Sequence, residues 1–188
     1  GTGAAHRCHL PQHGDGPAFG VGLRISIKRL PLLSLELGIV AVLIVINGLL
    51  AMSELAIVSS RPARLAALAE RGVSGSRRAL ALASDPGKFL STVQIGITLV
   101  GVASGAFSGA TLGARLSAWL VDLGLSARLA DGLGVGAVVT LITYASLIIG
   151  ELVPKQIALR DPEAVAVKVA PAMVVLAKIS SPLVWILD

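Results

Sequence analysis

Hydrophobic and polar positions fall in blocks along this chain. From about Leu33 to Ser60 apolar residues run almost unbroken, and between Leu37 and Met52 the single strongly polar side chain is Asn47. A helix rises 1.5 Å per residue, so about 20 such residues cross the ~30 Å hydrocarbon core of a bilayer. The same pattern predicts a second span over about 89–119 and a third over about 132–153. Residues 62–85 read differently. Leu65, Leu68, Val73, Leu80 and Leu82 are interleaved with Arg64, Arg71, Arg77 and Arg78, which predicts amphipathic helix lying along the membrane surface. Pro62 and the turn Asp85-Pro86-Gly87 punctuate its ends. After Asp161-Pro162 the segment at about 162–187 is apolar but interrupted by Lys168, Pro171, Lys178 and Pro182. It reads as a juxtamembrane helix with snorkelling lysines, a fourth span being the alternative. Residues 1–32 are Gly-rich and read as an irregular tail. The predicted class is an all-α integral membrane protein: three transmembrane helices, amphipathic linker helices and a C-terminal juxtamembrane helix.

Composition supports this reading. Of 188 residues 54% are hydrophobic and only 14% charged, too little polar surface for a soluble globule. The net charge of +5 does not indicate nucleic acid, because the basic residues sit in the breaks between apolar runs. Six Lys/Arg between Arg61 and Lys88, against one (Arg128) between Leu120 and Asp131, place the first linker in the cytoplasm. The N-terminus is then outside and the C-terminus inside the cell membrane, although Arg24, Lys28 and Arg29 pull the other way. A lone cysteine, Cys8, excludes an internal disulfide, and the His6, Cys8, His9 and His13 group lacks downstream partners for a metal site.

Several polar groups lie where lipid should be. Glu54 stands near the end of the first span and Glu151 near the end of the third. Pro154 has no N–H, so the carbonyl of Gly150 loses its helical donor beside the Glu151 carboxylate. That pairing is either an all-oxygen seat for a hard cation or a capped helix end in which Lys155 pairs Glu151. Asn47, Ser53, Glu54, Gln94 and Thr98 either converge with Gly150, Glu151 and Pro154 on one pocket or stitch helices together. Gly101, Gly105, Gly109 and Gly113 recur every four residues, a face on which helices approach closely, within one protomer or between two. No nucleophile–base pair or phosphate loop is present, so an enzyme is not expected.

Asn47-Gly48 through Ser53-Glu54-Leu55-Ala56, Val93-Gln94-Ile95-Gly96-Ile97-Thr98-Leu99 and Gly150-Glu151-Leu152-Val153-Pro154-Lys155 resemble, in order, the three helix motifs of the cyclin-M/CorC (CNNM) transmembrane domain. Bacterial members are often labelled hemolysin-like. The resemblance covers about Leu33 to Asp188. It implies a homodimer embedded in the bilayer, with cytosolic CBS domains expected after residue 188 and no cofactor in this part of the chain. It also implies export of Mg²⁺, with Na⁺ as a possible coupling ion. Carried over by position, the ion site would comprise Asn47, Gly150 and Glu151. Ala51, Ile97 and Gly101 depart from the family's oxygen-bearing residues, and the Gln94–Thr98 segment looks like a branch linked to polyamine export. Divalent-cation transport therefore stands as the leading expectation, organic-cation export as the first alternative, and a non-transporting membrane scaffold as the alternative of another class.

Overall fold

Long apolar runs become long helices because a backbone in lipid must satisfy its own hydrogen bonds. The computed structural model describes the backbone of residues 18–187 and the side chains of residues 32–179. It forms two units, Gly1–Ser34 and Leu35–Asp188. The His6, Cys8, His9 and His13 group lies outside the described residues. All described regular structure is helical: α1 (Ala18–Ser59), α2 (Pro62–Glu70), α3 (Ser76–Ser84), α4 (Pro86–Ser108), α5 (Ala114–Asp122), α6 (Ala127–Leu147), α7 (Val153–Arg160) and α8 (Pro162–Leu187).

A π turn at Gly109–Gly113 joins α4 to α5, and another at Ile148–Leu152 joins α6 to α7. Three helical stretches are therefore long and apolar enough to cross a membrane: Leu32–Ser59, Pro86–Asp122 and Ala127–Arg160. The last two exceed the sequence expectation. The third continues through Pro154 because the π turn widens the helix just ahead of the proline, and Val153 N–H bonds Ile148 O, five residues back. Two other expectations change. The tail expected to be irregular to residue 32 is helical from Ala18 on. The linker helix expected over 62–85 is split into α2 and α3. Gly72 and Gly75 take φ of 74° and 87° there, which other residues avoid.

The best-buried core lies at one end of the spans. Ala56 and Ile57 of α1, Leu65 of α2, Ala79 of α3, Phe89 and Val93 of α4, Ala158 of α7 and Ala166, Val167 and Ala170 of α8 pack together there. Glu163 ties this end shut. Its carboxylate accepts hydrogen bonds from Arg61 N–H (3.2 Å) and the Arg64 guanidinium (3.4 Å). Burial pushes this carboxyl up, but the Arg61 N–H, its own backbone N–H and the Arg64 charge outweigh it, and it is held below the ordinary glutamate value. Near the start of the first span, Arg115 pairs with Glu36 at 2.9 Å. α5 and α6 approach closely at Gly134, where a Cβ would stand 2.6 Å from Ser117 N.

Along the spans themselves, large apolar side chains such as Leu99, Val102, Leu141 and Tyr144 are exposed, as lipid-facing positions are.

Candidate functional site

The site begins where two glycines let helices touch. A Cβ on Gly48 would stand 3.0 Å from Cγ of Pro154 and 3.7 Å from Cα of Gly150. A Cβ on Gly150 would lie 3.2 Å from Ile44 O and 3.3 Å from Asn47 Nδ2. This contact brings Asn47, midway along the first span, against the π turn of the third. The Asn47 amide donates to Gly150 O at 3.2 Å. The carbonyl expected to be freed by Pro154 is thus taken up by a side chain 103 residues away.

Beside this contact is a cavity of about 210 Å³ between α1, α4 and the third span. Its polar wall is Asn47, Ser104, Thr143, Ser146 and Glu151, and Ile97, Ile142 and Leu147 form its apolar wall. Two buried oxygens here have no protein partner: Asn47 Oδ1 and Ser104 Oγ. Of the described side chains only Glu36 Oε2 shares that condition. A buried acceptor left without any partner costs about 1–3 kcal/mol, and the polar wall of this cavity lets water or another polar group pair with both. A larger cavity of about 680 Å³ lies between α2 and α8, beside Arg64, Arg71 and Lys168. Size favours that one, but neither of the paired orphan oxygens is there, and chemistry favours the smaller.

Charge at the site is shared. Lys155 Nζ lies 2.8 Å from Glu151 Oε1, one helical turn back, and 3.9 Å from Glu54 Oε2 on α1. Two carboxylates and one ammonium leave a net charge of about −1. Among the described residues no group of three or more His, Cys, Asp or Glu is arranged to hold a metal.

Of the residues singled out from the sequence, Asn47, Gly150 and Glu151 come together. The five others expected around the pocket do not line it. Ser53 is fully buried and donates to Leu49 O of its own helix at 2.6 Å. Glu54 stands behind Lys155, and the Pro154 ring packs toward Gly48. Gln94 and Thr98 share a face of α4, but both are exposed. The glycine ladder divides. Gly109 and Gly113 would place a Cβ 3.1 Å from Val139 Cγ2 and 3.0 Å from Val135 Cα, so they serve packing on α6 within the protomer. Gly101 and Gly105 have nothing within 4 Å of a Cβ and border the cavity. Ser104, Thr143 and Ser146 were missed. Ser104 was detectable, since it stands three and seven residues beyond Gly101 and Ile97 on one helix face. Ala51 is fully buried away from the cavity, whereas Ile97 and Gly101 line it and bring no oxygen.

Comparison with known proteins agrees with this architecture. UPF0053 protein sll0260 of Synechocystis sp. is 51% identical over 153 residues, covering 81% of this chain and 34% of the relative. The polyamine export protein of Haemophilus influenzae is 30% identical over 157 residues, covering 81% of this chain and 35% of its own length. That of Escherichia coli K12 is 29% identical over 147 residues, covering 78% and 33%. The chain thus spans about a third of the length of these relatives. The family profile of the cyclin M transmembrane N-terminal domain matches residues 38–188, and with three apolar spans in the expected order the chain belongs to the cyclin M transmembrane-domain family.

Proposed function

We propose that this domain carries cations across the cell membrane and that the cavity between α1, α4 and the third span is where the cation rests. The observation behind this is the pair of unpartnered oxygens, Asn47 Oδ1 and Ser104 Oγ, on the same cavity as the Glu151 carboxylate. The positive linker supports a cytoplasmic setting for the α1–α2 end of the spans, and the names of several relatives support export as the direction.

Mg²⁺ and an organic ammonium make different demands. Mg²⁺ wants near-octahedral oxygen and dehydrates reluctantly. Here the Gly150 carbonyl already accepts from Asn47, and a single carboxylate on the cavity is shared with Lys155. Mg²⁺ would keep most of its waters, and binding would be weak. A primary ammonium suits the site better. Glu151 already holds one, from Lys155, at 2.8 Å, and Ile97, Ile142 and Leu147 offer a wall for methylene groups. Relatives named as polyamine exporters support the same reading. The substrate is therefore a polyamine-type cation, with Mg²⁺ the second reading and Na⁺ its possible coupling ion.

The working form is a homodimer. Gln94 and Thr98 are exposed on α4 beside the open glycines Gly101 and Gly105, and polar side chains are costly against lipid, so a second copy covers this face.

Proteoliposomes assayed with labelled spermidine and with Mg²⁺ test the proposal. Spermidine flux should exceed Mg²⁺ flux, vanish in Glu151→Gln and fall in Ser104→Ala. Mg²⁺ flux without spermidine flux would restore the divalent reading. Full flux in Glu151→Gln would remove the site from the transport path.

A further inference from the structure

Lys155 is, among the described residues, the one basic side chain shared by two carboxylates. The two are not equivalent. Glu151 lines the cavity and belongs to the same helix one turn earlier, whereas Glu54 comes from α1 and does not line it. The ammonium is hydrogen-bonded to the first at 2.8 Å and stands 3.9 Å from the second, an ångström or so beyond bonding distance. Its side chain is about 30% exposed and its stem has four rotatable carbons, a reach that spans both carboxylates.

We propose that Lys155 is a tethered competitor for the cation seat: it occupies Glu151 when the cavity is empty and transfers to Glu54 when a cation arrives. The inference rests on the transport reading above and adds how the site is emptied and filled. In the empty state a bare Glu151 would face the membrane interior unpaired, which is costly, and the lysine removes that cost. An arriving cation takes Glu151 and repels the ammonium, and Glu54 supplies the only other carboxylate within reach among the described residues. Release reverses the exchange. The returning lysine competes for Glu151 and displaces the cargo, so the protein trades affinity for turnover. Glu54 acts on the cargo only through Lys155; it is a positioning residue.

A merely structural ion pair makes a different forecast, since its loss lowers stability without changing affinity. Purified wild type, Lys155→Gln, Glu54→Gln and the double variant are titrated with spermidine by calorimetry and assayed for flux. Lys155→Gln should bind about fivefold more tightly and turn over more slowly, and Glu54→Gln should bind about fivefold more weakly. The double variant should match Lys155→Gln. Weaker or unchanged binding in Lys155→Gln, or a Glu54→Gln effect that persists in the double variant, overturns the proposal.

A second arm needs no cargo. Reductive ¹³C-methylation keeps lysine charge, and the Lys155 resonance, assigned by its absence in Lys155→Gln, should move in both Glu151→Gln and Glu54→Gln. A resonance indifferent to Glu54→Gln overturns the exchange even if transport is established. Failure of wild type to bind or carry either spermidine or Mg²⁺ instead overturns the transport reading, which separates the two failures.

Discussion

Replacing Asn47 by Leu should abolish transport while leaving the fold almost as stable as before. The two side chains branch alike at Cγ, so the change swaps polarity more than shape. Asn47 is 5% exposed and makes one hydrogen bond, from Nδ2 to Gly150 O at 3.2 Å. Losing that bond removes about 0.6–1.7 kcal/mol of interhelical bonding in a membrane, and the orphaned carbonyl adds part of an unsatisfied-acceptor cost. Against this, Leu also removes Oδ1, a buried acceptor with no partner, which relieves about 1–3 kcal/mol. The terms oppose each other and should cancel to within about 1 kcal/mol, or roughly 2–4 °C in a chain of this size. Thermal unfolding in detergent measures the first quantity, and spermidine flux in liposomes the second. A variant destabilised by more than about 3 kcal/mol would mean that Asn47 is structural glue. A stable variant with wild-type flux would show that its free oxygen meets no cargo.

Two further outcomes follow from packing and charge. Gly134→Ala would set a Cβ 2.6 Å from Ser117 N and 2.8 Å from its Cα, so α5 and α6 must part, at a cost of about 1–3 kcal/mol. Gly136→Ala, with nothing within 4 Å, should be neutral or slightly stabilising, and equal unfolding midpoints for the pair would refute the close approach. The lowered carboxyl of Glu163 contributes stability above the unfolded-state value of about 4.3, and that contribution is lost as pH falls through the lower folded value. Wild type should therefore exceed Glu163→Gln by about 1–3 kcal/mol at neutral pH and converge with it in acid; parallel acid-unfolding profiles would sink this account.

What could be read from the chain alone follows from how local each signal is. The three spans were legible because a run of apolar residues of the right length has few other uses. Their ends were not, because Pro154 ordinarily stops a helix and only the π turn at 148–152 lets the third span continue. Motif resemblance grouped Asn47, Gly150 and Glu151, but the Asn47–Gly150 hydrogen bond joins residues 103 apart and leaves no local mark. Ser104 was passed over because a serine among glycines looks like packing, and its unpartnered hydroxyl is visible only once neighbours are in place. The glycine ladder held two uses in one pattern. Gly109 and Gly113 meet Val135 and Val139 of the same chain, while Gly101 and Gly105 remain open, and spacing cannot distinguish a neighbour in the protomer from one in another.

The π turn at Ile148–Leu152 also bears on how such a seat could arise or disappear in descent. A π turn is a single residue inserted into an α-helix, and each residue advances the helix by about 100°. The wide turn absorbs that advance, since Val153 N–H bonds Ile148 O five residues back; excising one residue from 148–152 would restore an ordinary i→i+4 bond, leave Lys155 facing as it does, and re-aim only the residues inside the turn, Gly150 and Glu151 among them. Side-chain substitutions alter the seat one oxygen at a time, but a three-base deletion would turn the Gly150 carbonyl and Glu151 away from Asn47 in one event without disturbing the helix on either side, and a three-base insertion into an unbroken ancestral helix would have been enough to open the turn.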